Sequence, residues 1–506
     1  MAKLINKAAF GDFQTPALLA QQVCRVVRAR MPVAAAVLEP TCGLGGVLLA
    51  AADAFPEAQL VLGRELSPVY ATALQQAIKT RPDRVRFDVE DADYFAHPWP
   101  LTTAGLPTPL LVIGNPPWVT NAELSVLGSD NKPYRYNFQE LKGLDAMTGK
   151  SNFDISEWML QDMLRWLNGR DATLAMLVKT SVARKALVYA WKNNLNAHDA
   201  AIYQIDAKKH FNAAVDACLL VCRTHLAPAR HECQVFAALD STEPLTALSY
   251  QHEQLIANAD YYNRWRHLQA QGTSRYRWRS GIKHDCAKVM ELTVVPGTAP
   301  GTYQNGLGDT VVLEQLHVFP MLKTSEVANG KVQQPQRRMI VTQRTTGEAT
   351  GAIQVTAPAT WAYLQRHGSL LDGRQSSIYK QRPRFSVFGI GDYAFAPWKV
   401  AISGLYKRLR FTIIGPYEGQ PVVLDDASYF LGCASEREAR LLNELLNSEV
   451  ADQFFRAFIF WDAKRAITVD LLQRLDLERL AQALGRADVL SIFGPAPLLQ
   501  VQGELF

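Results

Sequence analysis

The residues best suited to chemistry in this sequence stand just after a short apolar run. Residues 110–113 are four consecutive aliphatic side chains, and one glycine later the chain reads Asn115-Pro116-Pro117-Trp118. An exocyclic amine of a nucleobase is a poor nucleophile, because its lone pair is delocalised into the ring. If the side-chain oxygen of Asn115 and the carbonyl of Pro116 accept its two N–H groups, that lone pair becomes available to an electrophilic methyl group. Trp118 would then offer the planar base a stacking face.

The apolar run before this motif predicts a buried strand of a parallel sheet, since strands covered on both faces read as continuous apolar stretches. Two prolines cannot donate to a ladder, so the strand must end there. The motif would therefore lie at the carboxyl end of the strand, where ligands bind in open α/β sheets. On its own, it fits a loop that merely ends a strand equally well.

A glycine-rich loop lies between a predicted strand, residues 34–38, and a predicted helix, residues 47–54. It reads Glu39-Pro40-Thr41-Cys42-Gly43-Leu44-Gly45-Gly46, and its glycines let the backbone approach a ligand closely. The spacing is not the full G-x-G-x-x-G dinucleotide pattern. A second predicted strand, residues 59–64, ends in Glu65, where an acid can accept hydrogen bonds from ribose hydroxyls. The position of this acid strengthens the prediction of a ligand site at the loop.

Two shorter motifs lie beside predicted elements. Thr15-Pro16 precedes a predicted helix over residues 17–30, which Thr15 is expected to cap, while Pro16 suits its first turn. A third predicted strand, near residues 85–89, leads into Asp93-Tyr94-Phe95. Asp93 could accept a hydrogen bond from an adenine amine, with one of the two rings against the base. A solvated acidic turn would explain the same residues.

Short apolar strands and helical segments alternate through the first half of the chain. After the Asn115 motif, the sequence predicts a helix over residues 155–167 and strands over residues 172–178, 201–205 and 217–222, which complete a set of seven strands. This alternation predicts a doubly wound α/β sheet. The polar residues 119–152 are too many for an ordinary connection and are expected to face a substrate. Phe211, in a short basic loop, fits either ordinary core or a second face for a base.

Taken in order along the chain, these motifs resemble the gamma class of amino-methylating DNA methyltransferases, typified by the adenine-N6 enzymes of restriction–modification systems. The resemblance covers roughly residues 10–225 and implies a Rossmann-like, seven-stranded methyltransferase domain. It also implies S-adenosylmethionine as cofactor, held by Thr15, Pro16, Glu39, Pro40, Gly43, Gly45, Glu65, Asp93, Tyr94 and Asn115.

Within this resemblance, each motif takes a specific role. Glu65 would bind the ribose of the cofactor and Asp93 its adenine. The target amine would be held by Asn115-Pro116-Pro117-Trp118, with Phe211 as a further stacking residue. The chain departs from the family at Trp118, where Tyr or Phe is usual, and it matches only loosely around Phe211.

Composition limits the class of protein. The 506 residues are enough for two or more domains. No stretch approaches the roughly 18 apolar residues of a membrane span. The seven cysteines include no Cys-x-x-Cys pair, so core roles for Cys218 and Cys222 are favoured over zinc binding. We expect a reduced, cytoplasmic protein that needs no metal and binds no membrane.

Basic residues are concentrated in the second half of the chain. Residues 261–410 hold 21 Lys and Arg against 8 Asp and Glu, whereas the remainder is net acidic. Within them, residues 261–284 have six cations, no acid and five interleaved Tyr and Trp, a composition that favours phosphate contacts and base stacking over a plain solvated face. The predicted DNA contacts here are Arg264, Arg266, Arg275, Arg277 and Arg279.

A second basic cluster, residues 374–410, contains Lys380, Arg382 and Arg384, which are also predicted DNA contacts. Part of it is similar to the C-terminal recognition region of the same methyltransferases. We therefore expect a catalytic domain over residues 1–235 and a mixed α+β DNA-recognition region over residues 236–433. A helical segment over residues 434–506 would pack on that region.

The sequence thus predicts a site-specific methyltransferase that transfers a methyl group to the N6 amine of a flipped-out adenine in double-stranded DNA. Cytosine-N4 methylation remains an alternative, although those enzymes more often carry Ser-Pro-Pro. Methylation of protein glutamine or RNA is another, although such enzymes are usually much shorter. A DNA-binding specificity protein with an inactive methyltransferase domain is a third. Whether a separate restriction endonuclease is a partner stays open.

Overall fold

The computed structural model describes residues 14–81, 85–119, 154–228, 230–272, 274–463 and 465–490. The chain divides into two compact units, Met1–Ala259 and Asp260–Phe506. Of the segment predicted to face a substrate, all but Val119 lies outside the described residues.

The first unit alternates strands and helices. Its strands are β1 (Ala36–Glu39), β2 (Leu60–Glu65), β3 (Arg86–Asp91), β4 (Leu110–Gly114), β5 (Ala172–Lys179), β6 (His198–Ile205), β7 (Ala217–Arg223), β8 (Glu232–Phe236), β9 (Thr246–Gln251) and β10 (Gln254–Ile256). Its helices are α1 (Ala17–Arg30), α2 (Gly46–Ala54), α3 (Pro68–Lys79), α4 (Trp99–Ala104), α5 (Ile155–Leu167), α6 (Thr180–Lys192) and α7 (Ala207–Phe211). The predicted α/β class is confirmed.

All ten strands form one sheet in the order β10-β9-β8-β6-β7-β5-β4-β1-β2-β3. The strands β3, β2, β1, β4 and β5 are parallel neighbours, whereas β7 runs antiparallel between β5 and β6. The seven predicted strands are therefore all present, and they form one continuous part of the sheet.

Strand β4 is buried on both faces, as its continuous apolar sequence predicts. Its alternate residues Leu111 and Ile113 belong to a core cluster with α1 and α2, and Leu110 and Val112 are also fully buried. On α1, Leu19, Val23 and Val27 supply the helical stripe of this core. The strand that precedes the Asn115 motif is thus fixed by packing on each side.

The boundary predicted at residue 235 differs from the structure. Strand β8 pairs in parallel with β6, and β9 and β10 extend the same sheet by antiparallel pairing. Because these ladders continue to Ile256, the first compact unit ends at Ala259. A change from alternating strands and helices to hairpins does not by itself end a sheet.

The second unit mixes antiparallel strands with short helices. Its strands are β11 (Arg279–Ser280), β12 (Glu291–Val294), β13 (Thr302–Asn305), β14 (Thr310–Val312), β15 (Val318–Leu322), β16 (Arg337–Ile340), β17 (Trp398–Ser403), β18 (Thr412–Ile414), β19 (Val423–Leu424) and β20 (Ser428–Cys433). Helix α8 (Ala259–Trp265) is followed by α9 (Ala287–Met290), α10 (Thr324–Asn329), α11 (Ile353–Thr356), α12 (Pro358–Arg366), α13 (Gly368–Asp372), α14 (Glu436–Leu446), α15 (Glu449–Arg456), α16 (Val469–Leu472), α17 (Leu477–Ala483) and α18 (Ala487–Leu490). Turns of 3-10 helix cover Arg266–Leu268, Gln315–His317, Thr350–Ala352, Ser377–Tyr379 and Asp392–Phe395.

Two sheets organise this unit. One has four strands in the order β11-β20-β17-β18, and the other has six in the order β14-β13-β12-β16-β15-β19. Pairing is antiparallel except between β15 and β19. Helix α14 packs against the four-stranded sheet and buries Leu442, Leu445 and Leu446. The mixed α+β character predicted for the second half is confirmed.

Across the part of the chain that the structure describes, no helix is long and apolar enough to cross a membrane. The same residues contain no group of three His, Cys, Asp or Glu side chains placed to hold a metal ion.

Candidate functional site

A cavity of about 370 Å³ lies where the parallel strands β1, β2 and β4 end. Parallel strands that are neighbours in a sheet bring their carboxyl ends to one edge, so residues distant in sequence meet there. The predicted site residues that line the cavity are Thr15, Glu39, Pro40, Gly43, Glu65, Asp93, Tyr94, Asn115 and Pro117. Pro16, Gly45, Pro116, Trp118 and Phe211 are not among its lining residues.

The glycine loop is shaped by close contacts on both sides. Gly45 adopts φ 85° and ψ 16° as the N-cap of α2, a left-handed conformation that favours glycine. A Cβ on Gly45 would clash with the side chain of Leu74, and one on Gly46 would lie 2.8 Å from the carbonyl oxygen of Thr15. These positions need glycine so that the loop can pack against α3 and the start of α1.

Glu65 is held by the backbone on two sides of the cavity. One carboxylate oxygen accepts from the Gly43 N–H at 2.8 Å, and the other accepts from the Ser67 N–H at 2.9 Å. A carboxylate oxygen has more than one acceptor direction, so an oxygen that accepts a backbone N–H can also accept the hydroxyl group of a ligand. The two bonds fix the orientation of the acid and join the glycine loop to the turn before α3.

Glu39, the last residue of β1, is a buried acid that lines the cavity. Only 2% of it is exposed, and its Oε2 atom accepts no hydrogen bond from the described residues. Burial raises the pKa of Glu39 well above its usual value, a hydrogen bond from the Leu48 N–H opposes this shift, and the charge of Glu65 adds to it. A buried carboxyl group without sufficient partners favours a cationic ligand. The sulfonium and ammonium groups of S-adenosylmethionine fit this environment.

Asn115 and Thr15 are in direct contact in the wall of the cavity. The Asn115 Nδ2 atom donates to the Thr15 hydroxyl oxygen at 3.2 Å, which orients the amide. The helix cap predicted for Thr15 is wrong, because α1 begins at Ala17 with Pro16 in the N-cap position and no side-chain cap bond. The hydroxyl of Thr15 is engaged by Asn115 instead, so the Thr-Pro motif and the Asn-Pro-Pro motif form one structure.

Asp93 and Tyr94 lie differently with respect to the cavity. Asp93 is exposed and accepts from the Phe95 N–H at 3.0 Å. Tyr94 is buried, its hydroxyl donates to Asp162 at 3.1 Å, and burial raises its pKa well above the usual value. Phe95, only partly buried, also lines the cavity. Of the two rings considered for a base, the structure places Tyr94 in the wall and leaves Phe95 with more accessible surface.

Trp118 and Phe211 pack edge to face, with ring centroids 5.1 Å apart at 70°. Trp118 is 4% exposed and Phe211 is 8% exposed, and both belong to the core cluster of the first unit. The indole Nε1 of Trp118 donates to the Leu177 carbonyl at 3.1 Å. The structure thus brings the two predicted stacking residues together, but it gives neither ring a broad exposed face.

Several cavity residues were not predicted from the sequence. Gln14 lines the cavity and accepts from the Leu44 N–H at 3.1 Å, and its position beside Thr15 is the one signal that could have identified it. Ile155 and Met159 of α5 also line the cavity. Nothing in their local sequence marks them, since their position depends on where α5 packs.

In the second unit, the basic segment alternates between exposed cations and buried aromatic rings. Arg275 and Arg277 are exposed, whereas Tyr276 and Trp278 are 6% and 4% exposed. These two rings and the buried Tyr262 pack in the interior of this unit and offer little surface for the stacking predicted from the sequence. A strand-like period of two sends the cations to the solvent and the rings inward.

The other predicted DNA contacts are mostly exposed. Arg264, Arg266, Lys380, Arg382 and Arg384 lie on the surface, and Arg279 is half-buried with its guanidinium 4.6 Å from the centre of the Tyr393 ring. Arg384 is paired with Asp372, Nη2 to Oδ2 at 2.7 Å. Exposure is a precondition for phosphate contacts, and the pairing of Arg384 reduces the charge that it can offer.

The chain is similar to methyltransferases of known sequence and structure. The chain is 42% identical to the type II methyltransferase M.NspV of a Nostoc species over 479 residues, which cover 95% of this chain and 98% of that protein. No family model matches the chain. Among solved structures, the type IIL restriction-modification enzyme MmeI in complex with DNA is 11% identical with a TM-score of 0.47 and covers 94% of this chain and 74% of its own. A type I restriction-modification methyltransferase subunit from Streptococcus thermophilus is 13% identical with a TM-score of 0.32 and covers 44% and 47%.

Proposed function

The chain belongs to the type II methyltransferases of restriction–modification systems, and on this basis we propose that it methylates the N6 amine of adenine in double-stranded DNA with S-adenosylmethionine as cofactor. The observation that supports this most strongly is the convergence of Glu39, Glu65 and Asn115 at the ends of three neighbouring strands around one cavity. Each of these residue types matches a different chemical group of the two substrates.

On the cofactor side, the chain offers fixed acceptors. Glu65 accepts from the backbone of both flanking loops, so its carboxylate is held in place before ribose hydroxyls bind. Glu39 brings a buried carboxyl group to the cationic part of the cofactor. When bound, S-adenosylmethionine supplies the electrophilic methyl group.

On the target side, Asn115 and Pro116 supply the two acceptors for the amine. The bond from Asn115 Nδ2 to Thr15 leaves the amide oxygen in a defined direction, where it can accept one N–H of the amine while the Pro116 carbonyl accepts the other. Such preorganised acceptors do not need to reorient during the reaction. The adenine must leave the duplex to reach them. Stacking on Trp118 or Phe211 remains a prediction.

On the DNA side, we assign the second unit to target recognition. Its exposed arginines, with Arg275 and Arg277 as the clearest pair, suit contacts to phosphates. The protein would serve as the modification component of a restriction–modification system in the cytoplasm, and a separate endonuclease would be a further partner.

Incubation of the purified protein with tritiated S-adenosylmethionine and unmethylated DNA, followed by analysis of the nucleosides, tests this proposal. We expect the label in N6-methyladenine. Label in N4-methylcytosine would replace adenine by cytosine as the target, and label only in RNA or protein added to parallel reactions would replace DNA as the substrate. Calorimetric binding of S-adenosylmethionine without transfer to any acceptor would indicate an inactive domain and overturn the proposal.

A further inference from the structure

We propose that Lys179 is a positioning residue that holds the Asn115-Pro116-Pro117-Trp118 motif in its reactive conformation. The proposal rests on the function proposed above, because it concerns the rate of methyl transfer at that motif. No motif in the sequence marks this lysine. Its role follows from what its ammonium group contacts.

The sequence of the motif limits the hydrogen bonds that can hold it in place. Prolines have no N–H group, so Pro116 and Pro117 cannot donate to any neighbouring carbonyl. The described bonds that hold the motif therefore involve its two ends. At one end Asn115 donates to Thr15 at 3.2 Å, and at the other Trp118 donates through Nε1 to Leu177 at 3.1 Å.

Lys179 adds a bond to the backbone of the motif. It is the last residue of β5, which pairs in parallel with β4, so it reaches the same edge of the sheet as Asn115. Its Nζ atom donates to the Trp118 carbonyl oxygen at 3.2 Å. A charged donor makes a stronger hydrogen bond than a neutral one, and this bond fixes the peptide between Trp118 and Val119, at the end of the motif.

The ammonium group is itself held by Asp154. Nζ lies 2.6 Å from Asp154 Oδ2, and the side chains of Lys179 and Asp154 are 21% and 8% exposed. Asp154 is the N-cap of α5 and accepts from the Ser156 N–H at 3.1 Å and from the Ser156 hydroxyl. A buried carboxylate with these bonds gives the lysine a rigid support.

The same region fixes one wall of the cavity. The Ile155 N–H donates to the Val119 carbonyl at 2.9 Å, and both residues line the cavity. The Lys179–Asp154 pair is therefore adjacent to a backbone bond that joins the end of the motif to the start of α5. Because the pair is neutral as a whole, it adds no net positive charge beside an amine that becomes positive during transfer.

Lys179→Met should lower kcat for methyl transfer by roughly 10- to 100-fold, the cost of a small displacement of reacting groups. The affinity for S-adenosylmethionine should change by less than about threefold, since Glu39 and Glu65 are untouched. Lys179→Arg, which keeps a charged donor, should recover at least a part of the lost rate. The measurements are tritium transfer to unmethylated DNA and calorimetry with S-adenosylmethionine.

The chain offers a matched control in Lys185→Met. Lys185 pairs with the buried Glu157 of α5 at 2.7 Å but has no described bond to the motif, so kcat should stay within about twofold of wild type if motif contacts decide the rate. Circular dichroism and thermal unfolding of both variants separate loss of rate from loss of fold. If Lys179→Met unfolds, Lys179→Arg and Asp154→Asn carry the test, and folded Asp154→Asn should also lose rate with unchanged cofactor affinity.

The possible outcomes are distinct. If the wild type is active and both folded variants, Lys179→Met and Lys185→Met, keep the wild-type kcat, the positioning role is overturned and the proposed function stays intact. Equal loss in both variants would assign the effect to packing of α5 and also overturn it. A wild type that transfers no methyl group to DNA would overturn the proposed function, and the positioning role with it.

Discussion

Asn115 carries the proposed chemistry through one oriented amide. Its bond to Thr15 fixes which atom points toward the target amine, so removal of the side chain removes an acceptor that the backbone cannot replace. We expect Asn115→Ala to lower methyl transfer by at least about 100-fold, as when a preorganised hydrogen-bonding partner is lost. Cofactor affinity should change little, and calorimetry with S-adenosylmethionine checks this.

Asn193→Ala is a suitable control for that variant. Asn193 is exposed, and the one described bond of its side chain is donated to the Tyr189 carbonyl of the preceding helix, so the loss of the side chain should not affect transfer. Near-normal transfer by Asn115→Ala would show that the motif is not the reactive site.

Glu39 makes cofactor binding dependent on pH. Its folded-state pKa is raised by burial, so at pH values below that pKa the ligand-free protein holds a proton on Glu39 that a bound cation would displace. Affinity for S-adenosylmethionine should therefore increase as the pH rises through this pKa and level off above it, by up to about tenfold per pH unit. Isothermal calorimetry over a series of pH values, in buffers of different ionisation enthalpy, measures both the affinity and the released proton.

Glu39→Gln should bind more weakly at high pH and lose this dependence. The sign for stability is opposite, because an acid with a raised folded-state pKa stabilises the ligand-free fold below its unfolded pKa and loses that contribution as the pH rises through the folded pKa. An unchanged pH profile in Glu39→Gln would show that the released proton does not come from Glu39.

At the scale of elements, residues 274–280, which lead into and include β11, present their cations by strand-like alternation. Tyr276 and Trp278 are buried, so this part of the segment offers charge to DNA rather than aromatic surface. Neutralising Arg275, Arg277 and Arg279 together should weaken binding to cognate and scrambled duplexes alike. The slope of log affinity against log salt should flatten by up to about 0.9 for each lost phosphate contact.

A matched triple variant replaces three arginines of the second unit that are paired with acids. Arg440, Arg456 and Arg486 form ion pairs on helices or beside them, and their loss should leave the salt slope unchanged. If the first triple variant also keeps its slope and affinity, the segment is not part of the DNA interface. A loss confined to cognate DNA would instead indicate that one arginine reads a base.

At the scale of the whole molecule, a buried lysine links stability to pH. Lys399 lies in β17 with 1% exposure, its Nζ donates to the Ala396 carbonyl at 2.6 Å, and burial lowers its pKa to about 7. The unfolded chain, with the ordinary lysine pKa, binds more protons than the folded chain above that value. The free energy of unfolding should therefore increase as the pH rises from about 7 toward 10.

Lys399→Met should remove this dependence and stabilise the protein at about pH 6 by a few kcal/mol, because no charge has to be buried. Urea unfolding at several pH values measures the difference from wild type. Lys407→Met, at an exposed position, is the control and should follow the wild-type profile. If the free energy of unfolding of Lys399→Met changes with pH in the same way as that of wild type, the folded protein accommodates the charge of Lys399 without cost.

The sequence by itself determined the alternation of the first unit and the order of its motifs. The strands β1, β4, β5 and β7 were predictable because burial on both faces requires continuous apolar residues. Glu39, Glu65 and Asn115 were predictable because each directly follows or ends such a strand. The resemblance to a methyltransferase family, confirmed by a relative that spans nearly the whole chain, depends on the same local features.

Tertiary structure alone decided which side chains meet. The bond between Thr15 and Asn115, the contact of Lys179 with Trp118 and the burial of Tyr276 all depend on packing between segments far apart in sequence. The sheet also continues to Ile256, because strand pairing is set by the neighbouring edge. Local sequence patterns fix the period and the ends of an element. Contacts between elements depend on all the elements that can pack on the same surface, and the sequence of a single segment does not contain that information.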